Sequence, residues 1–229
     1  FKVIPSLSNW EEIVYLTNPE KWSYQALYQA TRIFISILDP KMGAHFLSMI
    51  LLPRFRSDVE RSVQHNHHHS DSNVLGKRKL NHHIYQSLMK SCYKASAFFK
   101  GIVFPLCESG DCTPIEANMI GSIIKKAALP NLHACAALYR LCQMPYTPTN
   151  LFFIKVLLAK RYALPSQVVE ALVEYFHQFI TNARLQHEQL HVMWHQTLLL
   201  LVQLYKKDFS STQKSKVYNV CKKRSHNLI

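Results

Sequence analysis

Residues 113–167 read TPIEANMIGSIIKKAALPNLHACAALYRLCQMPYTPTNLFFIKVLLAKRYALPSQ, and the placing of their prolines decides the fold. Pro114, Pro130, Pro148 and Pro165 stand at intervals of 16, 18 and 17 residues, each opening a run with apolar residues at helical spacing. A proline suits the first helical turn, where its missing N–H would have had no partner. Thr113-Pro114-Ile115-Glu116 adds a capping box, in which hydroxyl and carboxylate each satisfy an orphan backbone N–H. Two such units make about 34 residues, the period of a helical-hairpin repeat. A tightly packed helical protein without repeats would also restart helices at this interval. Both readings lead to an all-α chain of short antiparallel helices, stacked as an α-solenoid.

The pattern extends in both directions. Leu27, Ala30, Thr31, Phe34 and Leu38 recur at three and four residues. So do Val168, Val169, Leu172, Val173, Phe176 and Phe179, and then Trp194, Leu198, Leu201, Val202 and Tyr205. Strand-like alternation is absent. Ser8-Asn9-Trp10-Glu11 reads as a second capping box, and Asn18-Pro19, Asp39-Pro40 and Thr147-Pro148 place a capping side chain before a proline. The stretch from Arg61 to Lys79 breaks the pattern: it is polar, low in complexity and rich in His. The expected organisation is one continuous domain, with a helical block over 1–60, a flexible His-rich and basic loop over 61–79, and a helical repeat-like block over 80–229.

Composition narrows the function. The 229 residues include 27 Lys+Arg against 14 Asp+Glu, a net charge of +13, and only five glycines. No two glycines fall in a GxGxxG or GxxxxGK[ST] frame, which excludes a glycine-rich phosphate loop. A 48% hydrophobic content is too high for a disordered basic tail. Six cysteines spread among helix-like stretches read as reduced and intracellular. No apolar run approaches the ~18–20 residues of a membrane helix, and the best, Thr197 to Leu204, contains Gln203. No membrane partner is expected. The start at Phe1, inside patterned sequence, reads as a fragment of a longer protein.

Candidate catalytic and metal sets are weak. His187-Glu188-Gln189-Leu190-His191 is a formal HExxH, in which two His could share a zinc and the Glu act as general base, with His195 on the same face. In a chain with 13 His such a string needs no special cause. The helix continues without a break that would bring in a third ligand, and Asp208 is the one acid downstream. A polar helix end with solvent-facing His is the expected reading. Cys107 and Cys112 form half a zinc motif without its other half, and Cys135 and Cys142, with His133, share a helix face as core residues do. The His65–His69 cluster reads as part of the loop. No enzyme activity, cofactor, metal or small-molecule substrate is expected.

The charge remains. Arg54 and Arg56 follow an apolar helix. Lys77-Arg78-Lys79 precede another, along which Lys90, Lys94 and Lys100 are interleaved with Tyr85, Tyr93, Phe98 and Phe99. Lys125-Lys126, Lys206-Lys207 and Lys222-Lys223-Arg224 end or follow helices. Taken singly, each pair compensates a helix dipole. Together they exceed what capping needs, and phosphate is the natural partner. The interleaved aromatics could stack bases, although at helical spacing such residues are commonly core.

Eight strings converge on one resemblance: NWEEI at Asn9–Ile13, YQATR at Tyr28–Arg32, LLPRFR at Leu51–Arg56, FFKG at Phe98–Gly101, PLCESG at Pro105–Gly110, IGSII at Ile120–Ile124, YALP at Tyr162–Pro165 and WHQTLL at Trp194–Leu199. In this order the chain resembles the bystin family of eukaryotic small-subunit ribosome assembly factors. The resemblance runs from about Trp10 to Lys206. It implies an all-helical, non-catalytic domain that binds pre-ribosomal RNA, other small-subunit assembly factors and ribosomal proteins. It also implies a nucleolar and nuclear location with a late cytoplasmic stage, and a long polar N-terminal region. The loop over 61–79 is longer than the family's, so nothing is carried onto it. The family lacks HExxH before Trp194, and gives the Cys107–Cys112 turn no metal role. The expectation is a scaffold with a groove for a partner helix and RNA contacts at Arg54, Arg56, Lys77, Arg78, Lys79, Lys94 and Lys100. The alternatives are a protein-interaction solenoid whose basic face meets acidic partner segments and, less favoured, a zinc hydrolase at the chance HExxH of His187–His191.

Overall fold

Helices start at Pro114, Asn131, Pro148 and Ser166, so all four prolines of the opening stretch stand at or just before a helix start. The computed structural model describes residues 3–66, 80–186 and 190–224; these are all-α, with no strand among them. They form two compact units, Phe1–Leu129 and Pro130–Ile229. Among the described residues no helix is long and apolar enough to cross a membrane.

The first unit begins with α1 (Trp10–Leu16), α2 (Tyr24–Ile37) and α3 (Pro40–Phe46). A π-helical turn, Leu47–Leu51, joins α3 to α4 (Leu52–Asn66). Then follow α5 (His82–Ser91), a 3-10 turn at Cys92–Lys94, α6 (Ala95–Phe98), a second π-helical turn at Phe99–Val103, α7 (Phe104–Glu108) and α8 (Pro114–Lys126). α2 packs on α5, α3 on α6 and α4 on α8, and the two π turns touch. Each π turn is followed by Leu52-Pro53 or Phe104-Pro105. Inside a helix, a proline ring clashes with the carbonyl four residues back and removes its donor. Widening the preceding turn accommodates both effects and keeps the helical run continuous. Trp10, Phe34 and Phe46 centre the core, with the two Phe rings stacked at 4.5 Å and Trp10 edge-on to Phe34 at 5.6 Å.

The second unit holds α9 (Asn131–Gln143), α10 (Pro148–Leu158), α11 (Ser166–Thr181), α12 (Ala183–Gln186), α13 (Val192–Tyr205) and α14 (Ser211–Lys223). α9 rests on α11 and α11 on α14, while α10 rests on α13. With the one-turn α12 set aside, alternate helices therefore stack, and α10 also packs on its predecessor α9, a pairing compatible with a two-layer helical array. α10 is apolar nearly all round and buries Leu151, Phe153, Ile154, Val156, Leu157 and Leu158, as an inner helix must. Trp194 is clamped edge-on by Phe176 at 5.3 Å and Phe179 at 5.2 Å.

Several local expectations need correction. The box at Thr113–Glu116 forms, and Asp39 and Thr147 cap their helices. Ser8 does not open a helix, because α1 is capped by Asn9 without a side-chain bond. Asn18 adopts a left-handed conformation ahead of a single 3-10 turn, Pro19–Lys21, and also caps nothing with its side chain. Residues 61–66 continue α4 as helix. Arg61 donates to the Tyr24 hydroxyl (3.0 Å), and Asp58 accepts from that hydroxyl (2.8 Å) and from the Asn81 N–H (3.0 Å), tying the end of α4 to α2 and the start of α5.

Candidate nucleic-acid interface

The paired arginines of Leu51–Arg56 start from the proline at the head of α4, which fixes where the next turn points its side chains. Arg54 donates to the Trp22 carbonyl at 2.9 Å and to the Glu20 carbonyl, and lies 5.4 Å from the Tyr24 ring. It thus collects the loose carbonyls of the 3-10 turn before α2. Arg56 donates through Nε to Glu116 Oε1 at 2.8 Å and through Nη2 to Asp111 Oδ1 at 2.9 Å. Glu116 is 3% exposed, and its other oxygen accepts from the Thr113 N–H (2.7 Å) and hydroxyl (2.9 Å). Arg56 therefore locks the α7–α8 turn, including the capping box, onto α4. The hydrogen bond to Asp111 raises the Arg56 pKa still further, and Arg56 holds the Asp111 carboxyl below its ordinary range.

Lys94 is engaged in the same way. Its Nζ donates to the Leu38 carbonyl, which closes the C-terminal end of α2. That placement satisfies an orphan carbonyl and opposes the helix dipole. Lys100 stands exposed in the second π turn, and no described residue gives it a hydrogen bond or ion pair. Lys77, Arg78 and Lys79 lie outside the described residues, as do His67–His69 of the loop. Three of the seven expected RNA contacts thus turn their charge toward protein atoms, and Lys100 alone of the four described ones presents it outward.

The sequence pattern understated a different residue. Phe98 and Phe99 are core, but Tyr93 is 80% exposed, with Lys90 Nζ 4.1 Å from its ring centre. The cause is a break in the helix. Ser91 Oγ and Cys92 Sγ both donate to the Leu88 carbonyl (2.6 and 3.4 Å), competing with the backbone for that acceptor. The chain tightens into a 3-10 turn, and Lys94 leaves helical geometry at φ −106°, ψ 76°. Tyr93 is thereby turned outward beside two lysines. The Ser-Cys pair in the sequence was the available signal. Tyr85, half-buried, lies 5.4 Å from Lys126 Nζ.

The other candidate sets separate in space. His187, Glu188 and Gln189 lie outside the described residues; α12 ends at Gln186, and Leu190 and His191 are non-helical ahead of α13. His191 is the extended N-cap of α13, its Nδ1 accepting from the Met193 N–H at 3.3 Å, whereas His195 is buried against Trp194. The two imidazoles thus serve a cap and a core. Burial pushes the Cys107 thiol well up and the Cys142 thiol to about 12, which keeps both protonated. Among the described residues no group of three His, Cys, Asp or Glu is placed to hold a metal ion.

The sequence model of the bystin family matches residues 1–229, the whole chain. The chain belongs to the bystin family. It is 44% identical over 229 residues to bystin of Monosiga brevicollis, covering 100% of this chain and 51% of that protein. It is 45% identical over 226 residues to bystin of Homo sapiens, covering 99% and 47%. With bystin of Arabidopsis thaliana it shares 43% over 229 residues, covering 100% and 47%. The chain spans about half the length of the curated relatives it matches. Three of the bystin-like strings now have structural reasons: LLPRFR builds the α4 clamp, FFKG the second π turn, and PLCESG the turn that Arg56 holds.

Proposed function

We propose that this bystin-family chain is a non-catalytic assembly factor that binds pre-ribosomal RNA and small-subunit assembly partners. The observation that carries the reading is an exposed aromatic ring, Tyr93, with the Lys90 ammonium over it, and the exposed Lys100 further along the same helical segment. Exposed aromatics beside lysines suit unpaired bases, with the ring stacking and the ammonium groups meeting phosphates. Lys77, Arg78 and Lys79 extend this basic segment in sequence. Arg54, Arg56 and Lys94 serve it as positioning residues. Work of this kind places the protein in the nucleolus and nucleus, with a late cytoplasmic stage.

The test is binding of a small-subunit ribosomal RNA fragment across a salt series. Affinity should fall steeply with salt, as counterion release requires. Charge reversal at Lys77, Arg78, Lys79 and Lys100 should weaken it at least about tenfold. Unchanged affinity would remove RNA contact from this face. A second reading, a basic face for acidic protein segments, draws on the exposed Leu132 and Tyr139 of α9. It predicts that an acidic peptide competes where RNA does not.

A further inference from the structure

Residues 130–229 hold 12 Lys+Arg against 4 Asp+Glu, a net of +8 out of the chain's +13. Most of that excess lies in residues 206–224, where seven basic residues meet one acid, Asp208. Two of the seven build the fold. Arg224 donates to the carbonyls of Phe179 (3.1 Å), Leu185 (2.8 Å) and Gln186, closing the end of α14 onto α11 and α12. Lys216 Nζ lies 2.7 Å from Glu174 Oε2. Lys206, Lys207, Lys214, Lys222 and Lys223 are exposed, and no described residue gives them a hydrogen bond or ion pair.

α14 has two distinct faces. Val217 and Val220 are buried, and α14 packs on α11. Lys214, Tyr218 and Lys222, at i, i+4 and i+8, run along the outer side, with Ser215 and Asn219 beside them. The helix contains no carboxylate, so every polar side chain on this face can donate a hydrogen bond. Dipole compensation accounts for Lys222 and Lys223 in the last turn but not for Lys214 near the N-terminus, where a cation is unfavourable. Tyr218 is 68% exposed in the middle of this face. At 1.5 Å rise per residue, Lys214 and Lys222 are separated by about 12 Å along the axis, a span that takes two non-adjacent phosphates of one strand. Protein–protein interfaces centre on an apolar core, and around Tyr218 stand Lys214, Ser215, Asn219 and Lys222, with Cys221 the one less polar neighbour. The chemistry favours a nucleic acid.

We propose that the outer face of α14 is an RNA-binding surface, with Lys214 and Lys222 on backbone phosphates and Tyr218 stacking on an unpaired base. This rests on the reading that the chain binds RNA, and it adds a contact surface in the second unit.

The experiment titrates the whole 229-residue chain against a labelled ribosomal RNA stem-loop and against the fully paired stem, by fluorescence anisotropy from about 50 to about 200 mM salt. Lys214→Gln with Lys222→Gln should weaken stem-loop binding about tenfold or more and reduce the salt slope by about 2. Tyr218→Ala should weaken stem-loop binding by about five- to fiftyfold and leave the paired stem little changed. Lys216→Gln removes a charge from the same helix that Glu174 already neutralises, so affinity and slope should both hold. Circular dichroism should be the same for every variant. The α14 surface is overturned if wild type binds but the double variant keeps affinity and slope; RNA binding elsewhere then survives. If wild type binds neither RNA, the underlying reading fails as well. Loss of acidic-peptide binding with RNA binding intact would assign the face to a protein and also overturn the proposal.

Discussion

Arg56 stands between two carboxylates with different surroundings. Glu116 is buried and also holds the Thr113 cap, whereas Asp111 is exposed and reaches the same guanidinium from the turn. Replacing Arg56 by Ala strands a buried carboxylate, and breaking one partner of such a pair costs about 2 to 4 kcal/mol. Arg56→Lys should recover only part, since an ammonium cannot match the two-pronged geometry. Urea denaturation of the three proteins checks the order wild type, Lys, Ala. Acid should reveal the same contact. A carboxyl held below its ordinary range in the folded state stabilises above the unfolded value of about 3.9, and that stabilisation is lost as pH falls through the folded value. Between about pH 5 and about pH 2 the wild type should therefore lose more stability than Arg56→Met. Parallel acid curves for the two would show that Asp111 is not coupled to Arg56.

The joints between helices carry what the sequence pattern left hidden. Apolar spacing at three and four marks the buried faces of α2, α11 and α13 correctly, because that signal depends only on which side meets the core. It is blind to a one-residue widening of a turn. Nothing in that spacing marks Pro53 or Pro105, and in the structure each is passed by a π turn within a continuous run. Gly101 sits where the second of these turns meets α3. A Cβ there would lie 2.5 Å from the Ala44 carbonyl oxygen and 2.8 Å from Leu47 Cβ, both on a packed helix that cannot yield. Gly101→Ala should destabilise by about 2 to 3 kcal/mol or more through overpacking, despite its better helix propensity. Gly43→Ala makes a fitting control, because its Cβ would meet Ala97 Cβ at an ordinary 3.5 Å. Thermal melts should separate the two; equal behaviour would mean that the π-turn contact has slack.

At the scale of the whole chain, the charge was legible as an amount but not as a distribution. The sequence cannot tell an arginine that gathers carbonyls, as Arg54 and Arg224 do, from a lysine that faces water, because both occupy helix ends. Only the paths of neighbouring turns decide it, and they leave Lys100 and Lys214, Lys222 and Lys223 of α14 facing outward. An excess of this size also acts on the fold itself. At net +13 the unpartnered like charges repel, while exposed pairs such as Lys216 with Glu174 add at most about 1 kcal/mol. Screening should therefore stabilise the free protein. Its melting temperature is expected to rise between about 20 and about 200 mM sodium chloride, as the Debye length shortens from roughly 20 Å to under 10 Å. A bound ribosomal RNA fragment should raise it further at low salt, by the stabilisation that any ligand of the native state confers. The RNA-induced rise should then shrink as salt increases, because the same ions compete for the phosphates. A free-protein melting temperature that rises with salt while the RNA-induced increment falls is the signature of one uncompensated surface charge acting in both. A free protein that melts lower in higher salt would instead show that its ion pairs outweigh the repulsion.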